Sequence, residues 1–232
     1  MDLNTILFAA FGGIVPALLW LWFWLREDKK NPEPTYAIVK AFVAGMLSVP
    51  IALVLEKAIA WQLAAVASGT VFVIIKVTLW SFIEEGLKLG FAHISSLKQK
   101  YNDEPVDALI YMITVALGFA ALENTLFLLD PLAKQEFLNS IFTGNFRFLG
   151  ATLLHVLSSS IIGAALALGF HLKKKAKLKV LAVAFLLATV VHALFNFSLT
   201  EFDMPMLQIF ATVWVAMVML LALFEKVKRI KY

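Results

Sequence analysis

Residues 106–129 read VDALIYMITVALGFAALENTLFLL, and this stretch decides the fold class. A helix needs about 20 mostly apolar residues to cross the hydrocarbon core of a bilayer, and the stretch is long enough. Its charged residues are Asp107, close to one end, and Glu123, well inside the other. The stretch therefore predicts a membrane-spanning α-helix that carries a carboxyl group within the membrane.

The composition extends this interpretation to the whole chain. Of its 232 residues, 61% are hydrophobic and 16% are charged, whereas a soluble domain is about half apolar and about a quarter charged. We therefore expect one integral membrane domain over residues 1–232, an all-α bundle of transmembrane helices. The net charge of +4 fits basic cytoplasmic loops and does not indicate nucleic-acid binding. The chain has no cysteine, which excludes disulfides and thiolate metal sites.

Seven spans are predicted from the apolar runs. The irregular stretch at 58–76 is compatible with a re-entrant or interfacial helix on the outer side, and its role stays open. The stretch at 130–147 is mildly amphipathic and is expected to lie on the outer membrane surface. The third span lies somewhere within 70–97, and the other predicted spans lie at about 5–25, 36–56, 106–129, 148–171, 178–199 and 205–225.

The basic residues predict how these spans are oriented. Most of the 20 Lys and Arg residues fall in alternate loops, and such loops lie in the cytoplasm. This places the N-terminus outside and the C-terminus in the cytoplasm. The residues concerned are Arg26, Lys29, Lys30, Lys98, Lys100, the five lysines of 173–179, Lys226, Lys228, Arg229 and Lys231.

Several spans contain polar side chains that a membrane disfavours. A charged side chain at the centre of a span costs about 2.5–3.5 kcal/mol on insertion scales, and such residues usually mark function. Glu84 and Lys88 are one helical turn apart and can pair, and His192 and Asn196 share a face in the same way. The polar set comprises Glu84, Glu85 and Lys88 in the third span, Glu123 and Asn124 in the fourth, His155 in the fifth, and His192 and Asn196 in the sixth.

The depth of these residues predicts that they meet. With a rise of about 1.5 Å per residue, Glu123, His155 and His192 each lie within about 10 Å of the outer end of their span. Glu84 joins this level if the third span begins near Lys76 and ends near residue 97. Carboxylates and imidazoles from four distant segments would then lie at one depth, as they would in an active site. The part of the chain that carries these residues is about 76–199.

Four short motifs follow one another within residues 80–197. They are Glu84-Glu85-Gly86-Leu87-Lys88, then Phe119 to Glu123, then His155, then His192 to Asn196. In this order they resemble the PrsW family of intramembrane proteases, within the superfamily of CAAX prenyl endopeptidases and bacterial CPBP proteins. The CAAX-type enzymes have a histidine at the position of Glu123, so Glu123 favours PrsW.

The resemblance implies an intramembrane endopeptidase of a bacterial or archaeal cell membrane that acts in regulated proteolysis, such as cleavage of an anti-sigma factor. Its partner would be a single-span or membrane-anchored protein substrate. Because the predicted site lies in the outer half of the membrane, we expect cleavage near the outer face. The sequence does not indicate an oligomeric state.

Two mechanisms fit peptide hydrolysis, which needs an activated water and a group that holds the oxyanion. In the metal-free, glutamic scheme that the resemblance implies, Glu84 is the general base, and Glu85 or Glu123 orients a histidine. His192 and Asn196 stabilise the oxyanion. Lys88, Phe119 and Asn124 are supporting residues.

In the second scheme a zinc ion activates the water. His155, His192 and Glu123 would bind it, since two histidines and one carboxylate form an established catalytic zinc set. Glu84 or Glu85 would then be the base. We favour the metal-free scheme with no cofactor, and the zinc scheme stays open.

A proton- or ion-coupled transporter is the alternative function. Buried carboxylates and histidines at one depth would also serve proton relay. The sequence has no internal repeat, and so no pair of spans interrupted by Gly or Pro at corresponding positions of two halves, which many transporters have. The protease interpretation is therefore preferred.

Overall fold

The computed structural model of the chain describes residues 2–27, 31–201 and 206–230. Within these ranges the protein is entirely helical and contains no strand, which confirms the predicted all-α class. Two π-helical turns, His93–Leu97 and Arg147–Ala151, extend α3 at its end and precede α6. The helices are α1 (Leu3–Glu27), α2 (Thr35–Leu63), α3 (Gly69–Ala92), α4 (Pro105–Ala133), α5 (Phe137–Phe146), α6 (Thr152–Leu168), α7 (Lys174–Glu201) and α8 (Met206–Val227).

Helix α4 is the centre of the bundle. Every side chain from Pro105 to Ala121 is buried, because α1, α2 and α6 all pack against this helix. A helix that is apolar on all sides is expected where neighbours surround it. The stretch that decides the fold class therefore also forms the axis around which the other helices assemble.

Small residues let two helices approach α4 closely. A Cβ atom on Gly118 of α4 would overlap the carbonyl oxygen of Phe42, so α2 crosses α4 with the backbones in contact. A Cβ atom on Gly163 of α6 would lie 2.9 Å from the Cα atom of Leu109. Such contacts are typical of packing between membrane helices.

Six of the described helices are long and apolar enough to cross a membrane, namely α1, α2, α4, α6, α7 and α8. Helix α3 is also long, but it carries Lys76, Glu84, Glu85 and Lys88. The count of seven spans and the orientation of the chain therefore stay predictions. Lys29, Lys30, Lys231 and residue 205, where the seventh span was predicted to begin, lie outside the described residues.

Residues 58–76 do not form a separate helix. Residues 58–63 continue α2, and after a short turn α3 begins at Gly69 rather than near Lys76. The apolar residues after Glu56 extend α2 because nothing in them breaks a helix. The reversal occurs at Gly69, whose φ of +60° is readily adopted by glycine. The stretch at 130–147 holds the end of α4 and the short helix α5.

Candidate active site

Four helices bring the predicted polar residues together. Helix α3 supplies Glu84, Glu85 and Lys88, and α4 supplies Phe119, Glu123 and Asn124. Helix α6 contributes His155, and α7 contributes His192. The rings of the two histidines stand edge to face, with their centroids 5.1 Å apart. The convergence agrees with the depth argument, and Glu84 Oε2 lies 3.7 Å from His192 Nε2.

Glu85 is the anchor of the cluster. Its side chain is fully buried and accepts hydrogen bonds from the Ser158 and Ser159 hydroxyls, each at 2.9 Å. The Lys88 ammonium donates to it at 2.8 Å, and His192 Nδ1 lies 2.9 Å away. Because a carboxylate only accepts, the His192 proton is assigned to Nδ1. In neutral His192 the Nε2 atom then carries a lone pair, it faces Glu84, and among the described residues no donor binds it.

Lys88 lies at the centre of the cluster with no exposed surface. Besides its bond to Glu85, its Nζ atom lies 3.4 Å from Glu84 Oε2 and 2.8 Å from His155 Nδ1. The ammonium also sits over the Phe119 ring, 4.3 Å from the centroid. An ammonium has only donors, so His155 Nδ1 must accept and the His155 proton is assigned to Nε2.

Glu123 continues this chain of bonds toward the surface. His155 Nε2 lies 2.9 Å from Glu123 Oε2 and donates to it. The same carboxylate forms an ion pair with Arg147 from the π-helical turn before α6. Arg147 Nε also donates to Asn124 Oδ1 at 2.5 Å, and the Asn124 amide donates to Thr152 at 2.9 Å. Glu123, Asn124 and Arg147 thus join α4 to the start of α6.

Glu84 is the carboxylate with the fewest bonds in the cluster. Its polar neighbours are Lys88 at 3.4 Å and the two imidazoles, each at 3.7 Å. The latter distance is too long for a direct hydrogen bond. Its side chain is 6% exposed, whereas that of Glu85 is not exposed at all. Glu84 therefore has oxygen lone pairs available for a water molecule, and those of Glu85 are occupied.

Three side chains have the spacing of a metal site, but they differ from the predicted set. Ligand atoms of Glu84, His155 and His192 lie within 4.8 Å of one another. The predicted set had Glu123 in place of Glu84. Glu123 faces the Nε2 side of His155 and is paired with Arg147, whereas Glu84 faces the Nδ1 side. The donors match a catalytic zinc set by type, but the lone pair of His155 Nδ1 already accepts from Lys88.

Some residues of the cluster were not predicted from the sequence, and one predicted residue lies at the edge of the cluster. Ser158 and Ser159 gave no signal beyond their position after His155. Arg147 could have been found by asking which cation neutralises a carboxylate at the depth of Glu123. Glu56 of α2 is a further buried carboxyl group that experiences the charges of this cluster. Asn196 is half-buried one turn beyond His192 on α7, and its role stays a prediction.

Comparison with known protein families matches residues 33–224 to the PrsW family of intramembrane metalloproteases. The chain belongs to the PrsW family. The match covers α2 to α8 and therefore all four helices of the cluster. Membership in this family identifies the protein as a peptidase and favours the protease interpretation over the transporter.

Curated PrsW proteins match most of the chain. Protease PrsW of Bacillus subtilis (strain 168) is 30% identical over 198 residues, which are 81% of this chain and 81% of that protein. Protease PrsW of Clostridioides difficile (strain 630) is 28% identical over 86% of this chain and 80% of that protein. Protease PrsW of Oceanobacillus iheyensis is 27% identical, covering 82% of each. No solved structure matches the chain significantly.

Proposed function

We propose that this PrsW-family protein is a glutamic-type endopeptidase in which Glu84 activates the attacking water. The observation that carries the proposal is the contrast between the two adjacent carboxylates. Glu85 is held by four donors, whereas Glu84 has one contact at 3.4 Å and faces His192 Nε2 across 3.7 Å. A water beside this gap can contact both groups, which satisfies the geometric demand on a general base.

The proposed reaction uses the free His192 lone pair. Glu84 takes a proton from the water as its oxygen attacks the scissile carbonyl carbon. The proton then passes through His192 Nε2 to the leaving amine nitrogen as the carbon–nitrogen bond breaks. Asn196, one turn beyond His192, is the candidate donor to the oxyanion. The buried Lys88 ammonium counters the negative charge that develops nearby, because charges act more strongly where water is excluded.

The remaining residues would hold the reacting groups in place. Glu85 orients His192 through Nδ1, in the way that a carboxylate orients a catalytic imidazole. Arg147, Glu123 and His155 form a second chain that ends at Lys88. This chain fixes the ammonium beside Glu84. The same arrangement supports placing the protein with the glutamic-type membrane proteases of the CAAX and CPBP superfamily.

A zinc ion is the alternative that the family description raises. Glu84, His155 and His192 would hold it, and it would supply a Lewis acid that activates water. Against this stands the Lys88 ammonium, which lies 2.8 Å from His155 Nδ1 and 3.4 Å from Glu84 Oε2. A cation already bonded to two of the three ligands favours the metal-free scheme.

The substrate is proposed to be a single-span or membrane-anchored protein cut near the outer face of the cell membrane. The position of the cluster near the ends of α4 and α7 that are predicted to face outward supports this site. Regulated proteolysis, with an anti-sigma factor as one candidate substrate, follows from the resemblance to the PrsW family.

The proposal is tested by cleavage of a single-span reporter in proteoliposomes. We expect wild-type protein to cut it and Glu84→Gln to lose at least 100-fold in rate, since a general base contributes about 10²–10⁴-fold. The matched control is Glu136→Gln, which changes an exposed carboxylate outside the cluster. Unchanged cleavage by Glu84→Gln would overturn the assignment of the base.

A further inference from the structure

The predicted cytoplasmic end of the bundle contains a second cavity, separate from the polar cluster. It has a volume of about 230 Å³ and lies between the ends of α3 and α6 and the starts of α4 and α7. His93, the first residue of the π-helical turn after α3, lines this cavity and lies roughly 13 Å along the helix axis from Glu84. Its lining residues take no part in the proposed reaction.

Two lysines give the cavity its charge. Lys174 and Lys177 both line it, and they lie three residues apart on the first turns of α7, so they share one helix face. Lys177 also lies 5.7 Å from the centroid of the Phe170 ring. Among the described residues neither lysine forms an ion pair. The cavity therefore presents two cations without a carboxylate to neutralise them.

The remaining walls combine apolar and polar groups. Leu89, Leu166 and Leu181 supply an apolar surface that continues into the bundle. Asn102 also lines the cavity, and its amide nitrogen donates to the Leu97 carbonyl oxygen at 3.0 Å. Its Oδ1 atom is buried and has no hydrogen-bond partner among the described residues. The cavity thus combines two cationic side chains with an apolar wall.

We propose that this cavity binds the headgroup of an anionic phospholipid, such as a phosphatidylglycerol. The phosphate would lie on Lys174 and Lys177, and the first carbons of an acyl chain would contact the leucines. Basic pockets between membrane helices on the cytoplasmic side bind anionic headgroups in this way. The apolar wall favours a lipid over a free phosphate, which has nothing to place there.

The experiment measures lipid binding to the purified full chain by native mass spectrometry in detergent. The probes are dioleoyl phosphatidylglycerol, dioleoyl phosphatidylcholine and water-soluble glycerol phosphate. We expect the wild type to retain phosphatidylglycerol in preference to the other two. The double variant Lys174→Gln/Lys177→Gln should bind it roughly 30-fold more weakly, given the contribution of each lysine near a membrane surface.

A matched control distinguishes binding in the cavity from general electrostatic attraction between the lipid and the basic end of the bundle. Lys173→Gln/Lys175→Gln removes the same charge from neighbouring exposed residues outside the cavity lining, and it should bind phosphatidylglycerol nearly as wild type does. Asn102→Asp, which adds a negative charge to the cavity, should also weaken binding. Equal losses in the two lysine pairs, no preference over phosphatidylcholine, or equally tight binding of glycerol phosphate would each overturn the proposal. These outcomes do not depend on proteolysis.

Discussion

Replacing each of the adjacent carboxylates by glutamine separates chemistry from stability. Glu85 accepts bonds from Lys88, His192 and two serine hydroxyls of α6, whereas Glu84 has the Lys88 contact at 3.4 Å. Removing one partner of a buried ion pair costs about 3–5 kcal/mol. Glu84→Gln removes the longer of the two contacts, and Lys88 keeps Glu85 as its counter-ion at 2.8 Å, so the cost is that of one long hydrogen bond, about 1 kcal/mol. Glu85→Gln should therefore destabilise the protein strongly, and Glu84→Gln only slightly.

The two variants should rank in opposite ways in two assays. For a chain of this size, about 3–5 kcal/mol corresponds to a fall in Tm of roughly 6–20 °C, and about 1 kcal/mol to roughly 2–4 °C. Thermal unfolding in detergent measures this difference. Reporter cleavage, measured well below both melting temperatures, should be lost in Glu84→Gln even though that variant is folded.

One result would refute this reasoning. If Glu84→Gln lowered Tm as much as Glu85→Gln, the division between an anchoring and a reacting carboxylate would be wrong. The same conclusion would follow if Glu85→Gln melted with the wild type. Glu136→Gln, in an exposed position, controls for the effect of any Glu→Gln change.

Two further predictions concern residues that position the helices and side chains around the reacting groups. Arg147→Met removes the cation paired with Glu123, so the rate of reporter cleavage should fall at least tenfold. Arg147→Lys keeps a positive charge and should restore part of that rate. Equal rates for the two variants would contradict a role for the charge. Gly118→Ala places a Cβ atom on the carbonyl oxygen of Phe42, and overpacking of this kind costs about 1–3 kcal/mol. A melting curve for Gly118→Ala that matches the wild type would show that α2 and α4 do not cross as closely as described.

The sequence predicted the bundle well because span length and apolar composition are properties of local segments. It also predicted that Glu84, Glu123, His155 and His192 would come together. Polar side chains within spans are costly to expose to lipid, so they face the interior of the bundle, where they pair with one another. Helix α2 continues about two turns past residue 56, where the second span was predicted to end. The apolar residues after Glu56 are compatible both with an interfacial helix and with a longer α2, and tertiary packing decides between them.

Details within the cluster were harder to predict. Helical spacing fixes which residues share a face, but it does not say on which side of the His155 ring each carboxylate lies. Glu123 faces Nε2 and Glu84 faces Nδ1, so the three side chains with the spacing of a metal site include Glu84 and not the predicted Glu123. The bonds from Ser158 and Ser159 to Glu85 depend on how α6 is rotated against α3. Such rotations follow from packing and leave no mark in a single sequence.

The metal content of active protein tests the proposed mechanism most directly. Purified protein that cleaves the reporter would be analysed for zinc by elemental mass spectrometry, before and after treatment with a zinc chelator. We predict far less than one zinc per chain and full activity after chelation, because Lys88 occupies the lone pair of His155 that a zinc ion would need. One zinc per chain, with activity lost on chelation and restored by added zinc, would contradict the glutamic mechanism.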